Sequence, residues 1–170
     1  GQKLFASQLY RLLLDKGTIP FWLCNEIVSS FSCILNTMYF GAAYTFMASE
    51  TNTAIEPPLN GSKYDARGET HLRNMVLKRS VSSMKLLSLQ MLFFPFCSSG
   101  HWTCYAVIPL EKMIIWFDPY SSPDRVTCLK EMRGRTNSGA GTQKMIMRAM
   151  ELRAAFENYD FPNQEWQVRR

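Results

Sequence analysis

Three apolar segments follow one another in the middle of the chain, and they constrain the fold more than any other feature of the sequence. They run from Leu86 to Phe96, from Trp102 to Pro109 and from Met113 to Asp118. Runs of this length that are rich in aromatic and β-branched residues favour strands, and Pro95 is expected to close the first one. The charged connection Leu110-Glu111-Lys112 has hairpin length. The sequence therefore predicts a sheet of neighbouring antiparallel strands.

Helical periodicity occurs on both sides of these segments. Apolar residues from Leu4 to Leu13 recur every three or four positions and predict a short amphipathic helix that ends at Gly17. Asn25 is the expected N-cap of a second helix, which has few polar positions and is predicted to be buried on most sides. Thr142 is the expected N-cap of a later helix that ends near Asn158. Helices that bracket antiparallel strands predict an α+β domain.

The chain has 170 residues, of which 46% are apolar, and this is enough material for one globular domain with a core. The composition changes between Ser49 and Asn74, where polar residues, Pro57-Pro58 and Asn60-Gly61 interrupt any apolar period. We expect an exposed loop or insertion there, within a single domain that covers residues 1–170.

The stretch from Ile27 to Ala48 contains no charged residue and is as long as a helix that crosses a bilayer, which takes about 20 residues. Its hydroxyl and amide side chains are costly in lipid, and no Lys/Arg cluster flanks it. These polar residues are Ser29, Ser30, Ser32, Asn36, Thr37 and Thr45. We therefore expect a buried core helix and no association with a membrane.

The five cysteines are an odd number without CxxC spacing, which argues against a disulfide framework or a zinc knuckle. Free thiols are typical of a reducing compartment, and no secretory signal is visible. These features predict an intracellular protein of the nucleus or cytoplasm. Since neither zinc-ligand spacing nor a glycine-rich phosphate loop occurs, no metal or organic cofactor is expected.

Chemistry that needs histidine can use only His71 or His101, the two histidines of the chain. His71 lies in the polar region, where a solvated ring is expected. His101 begins a predicted strand and Asp118 ends the next, so an antiparallel hairpin would bring the two side chains together. A carboxylate that accepts from Nδ1–H would orient the imidazole and leave Nε2 to take a proton from a nucleophile. Asp118 could equally open a turn with Pro119 beside a structural histidine, and spacing alone leaves both interpretations open.

Several segments in the same order resemble the ubiquitin-like-protein-specific cysteine proteases, the SUMO-deconjugating family. The strand His101-Trp102-Thr103-Cys104-Tyr105 and the following Ile114-Ile115-Trp116-Phe117-Asp118 are similar to that family's His-Trp and Asp strands. Trp22-Leu23-Cys24-Asn25-Glu26 resembles its helix start, Leu92-Phe93-Phe94-Pro95 the strand before its histidine, and Glu165-Trp166 the Glu-Trp before its nucleophile segment. The specificity of the resemblance lies in this order and spacing.

The resemblance implies a papain-like cysteine protease fold of the ubiquitin-like protease type, with helices packed around a central, mostly antiparallel sheet. His101 would be the general base and Asp118 its orienting carboxylate. Trp22 and Trp102 would flank a narrow channel for a Gly-Gly C-terminus. The expected activity is that of a cysteine-type peptidase or isopeptidase, and the expected partner is a ubiquitin-like, SUMO-like protein or its conjugates.

The sequence also departs from the family pattern. The family's nucleophile lies in a Gln-x-Asn-x-x-Asp-Cys-Gly segment that these residues lack, and no cysteine follows Cys128. Cys24-Asn25 replaces the family's Asn-Asp, which removes a carboxylate, and Pro119 replaces a serine. Because histidine and aspartate activate a nucleophile but do not replace it, we expect a partial domain that is inactive by itself.

Two alternative functions would use the same residues. Cys24, His101 and Asp118 follow the Cys, His, Asp order of papain-like hydrolases, and a thiol near a helix N-terminus has a lowered pKa. The chain could also be a catalytically dead module that binds a ubiquitin-like protein.

A third alternative is binding to nucleic acid, which is expected to be the weakest, since basic residues on a helix are usually only solvated. The net charge of +5 permits it. The basic cluster consists of Arg133, Arg135, Lys144, Arg148 and Arg153.

Overall fold

A computed structural model of the chain describes residues 24–55, 66–98, 101–118, 138–161 and 165–169. The helices in this part are α1 (Asn25–Met38), α2 (Ala48–Ile55), α3 (Ala66–Leu77), α4 (Arg79–Ser82) and α5 (Ser138–Glu157). The strands are β1 (Ala43–Thr45), β2 (Met91–Ser98), β3 (His101–Ile108), β4 (Met113–Phe117) and β5 (Gln167–Arg169). Single 3-10 turns occupy Leu86–Ser88 and Pro109–Glu111. The fold is α+β, as predicted.

The five strands form one sheet in the order β1-β2-β3-β4-β5. The central three are antiparallel neighbours, and this confirms the predicted hairpin arrangement. The outer two strands are parallel to their neighbours. Lys112 adopts φ 45°, in the left-handed region, and ends the 3-10 turn from which β4 begins. The short turn fixes the register, in which Ile108 lies opposite Met113.

Strand β2 begins later than the sequence predicts and does not end at Pro95. Leu86 and Leu87 are buried in the 3-10 turn before the strand, so their apolar character reflects burial and not extended backbone. The strand starts at Met91 and continues to Ser98.

Pro95 is tolerated inside β2 because a backbone N–H at this position would point away from β3. The carbonyl of Phe93 accepts from the N–H of Phe46 at 2.9 Å, and the N–H of Cys97 donates to the side chain of Asn52 at 2.9 Å. The backbone groups of these alternate residues therefore face away from β3. Pro95 lies between them, so its ring removes no hydrogen bond from the β2–β3 ladder.

One face of the sheet forms the main core against α2, α3 and α5. Alternate residues of the three central strands point into it and are almost fully buried, since side chains two residues apart share a face. They pack with helical residues of the same apolar cluster. The members from the central strands are Leu92, Phe94, Phe96, Tyr105, Val107 and Ile114, and the helical members include Leu72, Val76, Ile146, Ala149 and Met150.

The region predicted to be a loop at residues 49–74 is largely helical where the structure describes it. Helix α2 covers its start and α3 its end, and residues 56–65 lie outside the described part. Ala54 and Thr51 are buried three residues apart on α2, and Leu72, Met75 and Val76 are buried on α3. Each helix presents only a narrow apolar stripe among polar residues, so the helical period of its apolar residues is too weak to predict a helix.

Helix α1 is not buried on most sides, contrary to the prediction. Only Ile27, Ser29 and Ser32 of the helix are buried, while Phe31, with 57% of its surface exposed, and other apolar residues face outward. Its N-cap is Cys24 and not Asn25. The expected helix at residues 4–13 lies outside the described residues. Within the described part, no helix has the length and apolar character that a membrane span requires.

Helix α5 begins at Ser138, four residues before the predicted N-cap Thr142, and ends at Glu157 as predicted. Thr142 is buried inside the helix, and its hydroxyl has no hydrogen-bond partner among the residues that the structure describes. The small and polar residues from Ser138 to Gly141, which precede the predicted N-cap, therefore belong to the helix as well.

A fully buried arginine on α5 connects three segments of the chain. Arg153 donates to the carbonyls of Val76 at 3.0 Å and Val81 at 2.9 Å, and also to that of Met84. It pairs with Glu157 one turn later, whose carboxylate also accepts from the N–H of Leu86 at 2.8 Å. The side chain thus binds carbonyls at the end of α3 and around α4, where the helical hydrogen-bond pattern ends, and Glu157 compensates its charge.

We predict that Glu157→Gln destabilises the fold by about 3 kcal/mol, because it leaves the buried Arg153 guanidinium without an opposite charge. Glu151→Gln is the matched control on the same helix: its ion pair with Arg148 is exposed, and its removal should change the free energy of unfolding by no more than about 0.5 kcal/mol. Urea unfolding of both variants measures the difference. Equal effects would contradict the assignment of Glu157 as a buried counter-ion.

Candidate active site

His101 and Asp118 meet at one end of the central hairpin. His101 is the first residue of β3, and Asp118 directly follows β4. The imidazole Nε2 lies 2.7 Å from Oδ1 of Asp118, which is hydrogen-bonding distance. The His101 side chain is 17% exposed and that of Asp118 is 6% exposed. The predicted contact between the two side chains therefore forms, and one partner remains reachable from solvent.

The nitrogen that makes this contact differs from the expected one. The sequence predicts that Nδ1 faces the carboxylate, whereas the structure places Nε2 against Asp118. Spacing along two strands determines whether a ring meets an acid but not the rotation of that ring about its side-chain bonds. A proton taken from a reacting group by this imidazole would therefore be accepted at Nδ1.

A stacked aromatic pair supports the hairpin just inside the site. Tyr105 and Trp116 lie opposite each other in the ladder, and their rings are 6.1 Å apart with an angle of 8° between their planes. Tyr105 and His101 lie on the same face of β3. Trp116 and Asp118 are two residues apart and therefore also project from one face. The burial of Tyr105 in the core therefore fixes the strand ends from which the imidazole and the carboxylate project.

Trp102 is half-buried and lies opposite Cys97 in the β2–β3 ladder. Because it is adjacent to His101 in a strand, its indole projects from the other face of the sheet. Trp22 lies outside the described residues. The channel between two indoles accordingly stays a prediction.

The second histidine does not belong to this site. His71 is exposed, as expected for a solvated ring, although it lies on α3 and not in a loop.

The cysteines of the described part, Cys24, Cys33, Cys97 and Cys104, are all free thiols, and Cys128 lies outside it. Burial raises the pKa of Cys104 from its ordinary value of 9.0 to about 11, although a backbone hydrogen bond from Phe94 opposes the shift. A thiol with a raised pKa stays protonated at neutral pH, and the thiolate is the nucleophilic form. Cys104 is therefore unsuited to nucleophilic catalysis despite its place on the strand that carries His101.

Cys24, the alternative nucleophile, occupies the N-cap position of α1 and is partly buried. Its carbonyl accepts from the N–H of Val28 at 3.2 Å, and this bond belongs to the first turn of the helix. A thiol at this position would benefit from the positive end of the helix dipole. Its role as a nucleophile stays a prediction.

No group of three or more His, Cys, Asp or Glu side chains within the described ranges is arranged to hold a metal ion.

The basic cluster considered for nucleic-acid binding does not form one accessible surface. Arg153 is fully buried, and Arg148 forms ion pairs with Glu69 at 3.0 Å and Glu151 at 3.1 Å. The hydrogen bond to Glu69 contributes most to raising the pKa of Arg148, and the hydrogen bond to Glu151 contributes next. Arg133 and the neighbouring Arg135 lie outside the described residues. The periodicity places Arg148 and Arg153 on one helix, but it does not show that Glu69 of α3 pairs with Arg148 or that Arg153 is buried beside Glu157 of the same helix.

Two asparagines contribute to this end of the sheet although the sequence did not indicate them. The side chain of Asn52 donates to Oδ1 of Asn25 at 2.9 Å and accepts from the N–H of Cys97 at 2.9 Å. We call these two hydrogen bonds the asparagine bridge. Asn25 was expected to cap α1, and Asn52 lay in the region interpreted as a loop, so no local pattern revealed that they meet.

The comparison with solved structures finds the catalytic domain of the Ulp1-like SUMO protease of Chaetomium thermophilum to be similar, with a TM-score of 0.49 and 16% sequence identity. The match covers 86% of this chain and 51% of that one, so this chain spans about half the length of the matched protein. No family model matches the sequence. No curated protein matches it.

We predict that Cys104 reacts with iodoacetamide only at strongly alkaline pH. Two pKa units reduce its thiolate fraction at pH 7 about a hundredfold relative to an ordinary thiol. The rate of its carbamidomethylation, followed by peptide mass spectrometry, should rise with a midpoint near pH 11 in the folded protein. In denaturant the midpoint should return to the ordinary range. A midpoint near 9 in the folded protein would show that burial does not control this thiol.

Proposed function

We propose that the chain is the His–Asp part of a cysteine-type peptidase or isopeptidase that acts on a ubiquitin-like, SUMO-like modifier. The observation that carries the proposal is the 2.7 Å contact between His101 Nε2 and Asp118 Oδ1, made by the two strands whose sequences resemble those of the SUMO-deconjugating family. The proposed place of action is the nucleus or cytoplasm, where such modifiers are attached and removed.

In the proposed reaction His101 is the general base. Its Nδ1 takes the proton of a cysteine thiol, and the thiolate forms a bond to the carbonyl carbon of the modifier's last glycine. The imidazolium returns the proton to the leaving lysine amine as the C–N bond breaks, and water then hydrolyses the thioester with His101 again as base. Asp118 aligns the ring and stabilises the imidazolium while it carries the extra proton.

The nucleophilic thiol belongs, in this proposal, to sequence C-terminal to Arg170, where the family's Asp-Cys-Gly segment would be. The raised pKa of Cys104 is consistent with this assignment, because burial makes the thiolate of Cys104 harder to form than that of an ordinary thiol. Trp102, together with Trp22, would confine the extended Gly-Gly tail, since a slot between two indoles admits only residues without side chains.

The test uses the polypeptide translated from the natural reading frame through any segment after Arg170, together with a SUMO probe that carries an electrophile at its C-terminal glycine. We expect a covalent adduct that His101→Ala abolishes. Asp118→Asn should slow the cleavage of a SUMO–peptide fusion, in kcat/KM, by a factor on the order of 10³ to 10⁴, because the imidazole loses its orienting charge. Asp160→Asn, a change at an exposed acid of the described part, should have no effect.

Each outcome discriminates between the alternatives. Binding of the probe without bond formation would reject the protease and favour a module that only binds the modifier. Adduct formation by the 170-residue chain itself, lost in Cys24→Ser, would assign the nucleophile to Cys24. An equal loss of activity in the variants of Asp118 and Asp160 would remove the proposed role of the His–Asp pair.

A further inference from the structure

We propose that Asn52 is a positioning residue that holds the amino-terminal end of α1 against the end of the sheet where His101 lies. The proposal deepens the function proposed above and rests on it, because it assigns to the asparagine bridge the placement of the strand pair Cys97–Trp102, and with it of Trp102, one proposed wall of the channel for the modifier's tail.

The two hydrogen bonds of the bridge use both functional groups of the Asn52 amide. Its NH₂ donates to Asn25 Oδ1 on the first residue of α1, and its oxygen accepts from the backbone N–H of Cys97. Cys97 lies opposite Trp102, and the next pair in the register is Ser98 with His101. One amide side chain therefore connects the start of α1 to the strand pair adjacent to the candidate base.

The bridge occupies a gap that the sheet leaves open. Strand β1 pairs with β2 only from Met91 to Phe93, so no described strand lies beside the edge of β2 beyond Phe93 on that side. Helix α2 supplies Asn52 at this edge, and its side chain receives the N–H that a longer β1 would have received. Both asparagines are partly buried, so water competes only weakly for these hydrogen bonds.

The opposite end of α1 is fixed independently. The Asn36 amide exchanges two hydrogen bonds with the backbone of Thr45 in β1, at 2.8 Å and 2.6 Å. A helix held at one end can still pivot, whereas a second attachment point defines its direction. The asparagine bridge supplies a second polar attachment, and the register places it next to the pair formed by Ser98 and His101.

The register places Trp102, a proposed channel residue, close to the bridge. Neighbouring strands are about 4.8 Å apart, so Trp102 lies one strand spacing from Cys97, whose backbone N–H donates to Asn52. The bridge thus acts on the strand pair that carries this proposed wall of the channel.

Aspartate substitutions separate the bridge from general stability. Asn25→Asp keeps an acceptor for the Asn52 NH₂ group. Asn52→Asp keeps the acceptor for Cys97, and Asn25 can rotate its amide to donate to the new carboxylate. The double variant places two carboxylates at hydrogen-bonding distance, where they repel each other. The single variants are therefore matched controls for the double variant.

The first measurement is the affinity of the 170-residue chain for SUMO ending in Gly-Gly and for the same SUMO without both glycines. We expect the wild type and both single variants to bind the form with the tail more tightly. In the double variant, the ratio of the affinities for the forms with and without the tail should be roughly tenfold smaller than in the wild type. Its affinity for the form without the tail should not change. Lowering the pH should restore the difference, because a proton shared by the carboxylates renews a donor.

The second measurement does not require a modifier. Amide hydrogen exchange should show that the N–H groups of Cys97 and Val28 remain protected in the single variants and that both lose protection in the double variant. Should the double variant fail to fold, Asn25→Ala breaks only the bond between the two side chains and should expose Val28 while Cys97 stays protected.

Two results would overturn the proposal: unchanged protection of Val28 whenever the bridge is broken, or lost protection with an unchanged tail-dependent difference. A wild-type chain that shows no preference for the Gly-Gly form would refute the proposed function, and the exchange data would then still decide whether the bridge couples α1 to the sheet.

Discussion

The alternation of side chains across the β3–β4 hairpin is the constraint on which the candidate site depends. Tyr105 and Ile114 are buried in the core, and a slip of one residue would turn them to the opposite face. Such a slip would also separate His101 from Asp118. Since a hydrogen bond contributes only about 1 kcal/mol net, the burial of the aromatic and aliphatic residues holds this pair together. The core of the sheet therefore preorganises the site.

Backbone groups left open by short elements are satisfied here by side chains from distant segments. Strand β1 pairs with β2 only as far as Phe93. The side chain of Asn52 accepts the hydrogen bond from the N–H of Cys97, which lies beyond that pairing. Helix α1 is attached to β1 by Asn36 in the same manner. These amides suit the task because each carries a donor and an acceptor and no charge, and thus can bond to two partners without the cost of burying an ion.

The central strands and the meeting of His101 with Asp118 could be predicted because they depend on local properties, namely apolar runs and a short turn. The helices at residues 48–55 and 66–77 could not, because long-range contacts stabilise their narrow apolar stripes. The ring nitrogen that faces Asp118 depends on side-chain rotation, which spacing does not encode. The asparagine bridge and the pairing of Arg148 with Glu69 join residues far apart in sequence, and no local pattern indicates them. Strand spacing therefore allowed the contact between His101 and Asp118, and the resemblance to a protease family favoured it, whereas the surroundings of the candidate site depend on packing between distant segments.

The attachment of Arg153 to the carbonyls of Val76 and Val81 has a consequence for the order in which the chain can assemble. The residues that meet are more than 70 positions apart, and the loop that must close is correspondingly long. Contacts of this kind slow folding, because chain entropy is lost before they contribute stability. The end of α3 and the whole of α4 thus reach their final form only after a much later part of the polypeptide has left the ribosome. A nascent chain that ends before α5 would expose these carbonyls to water.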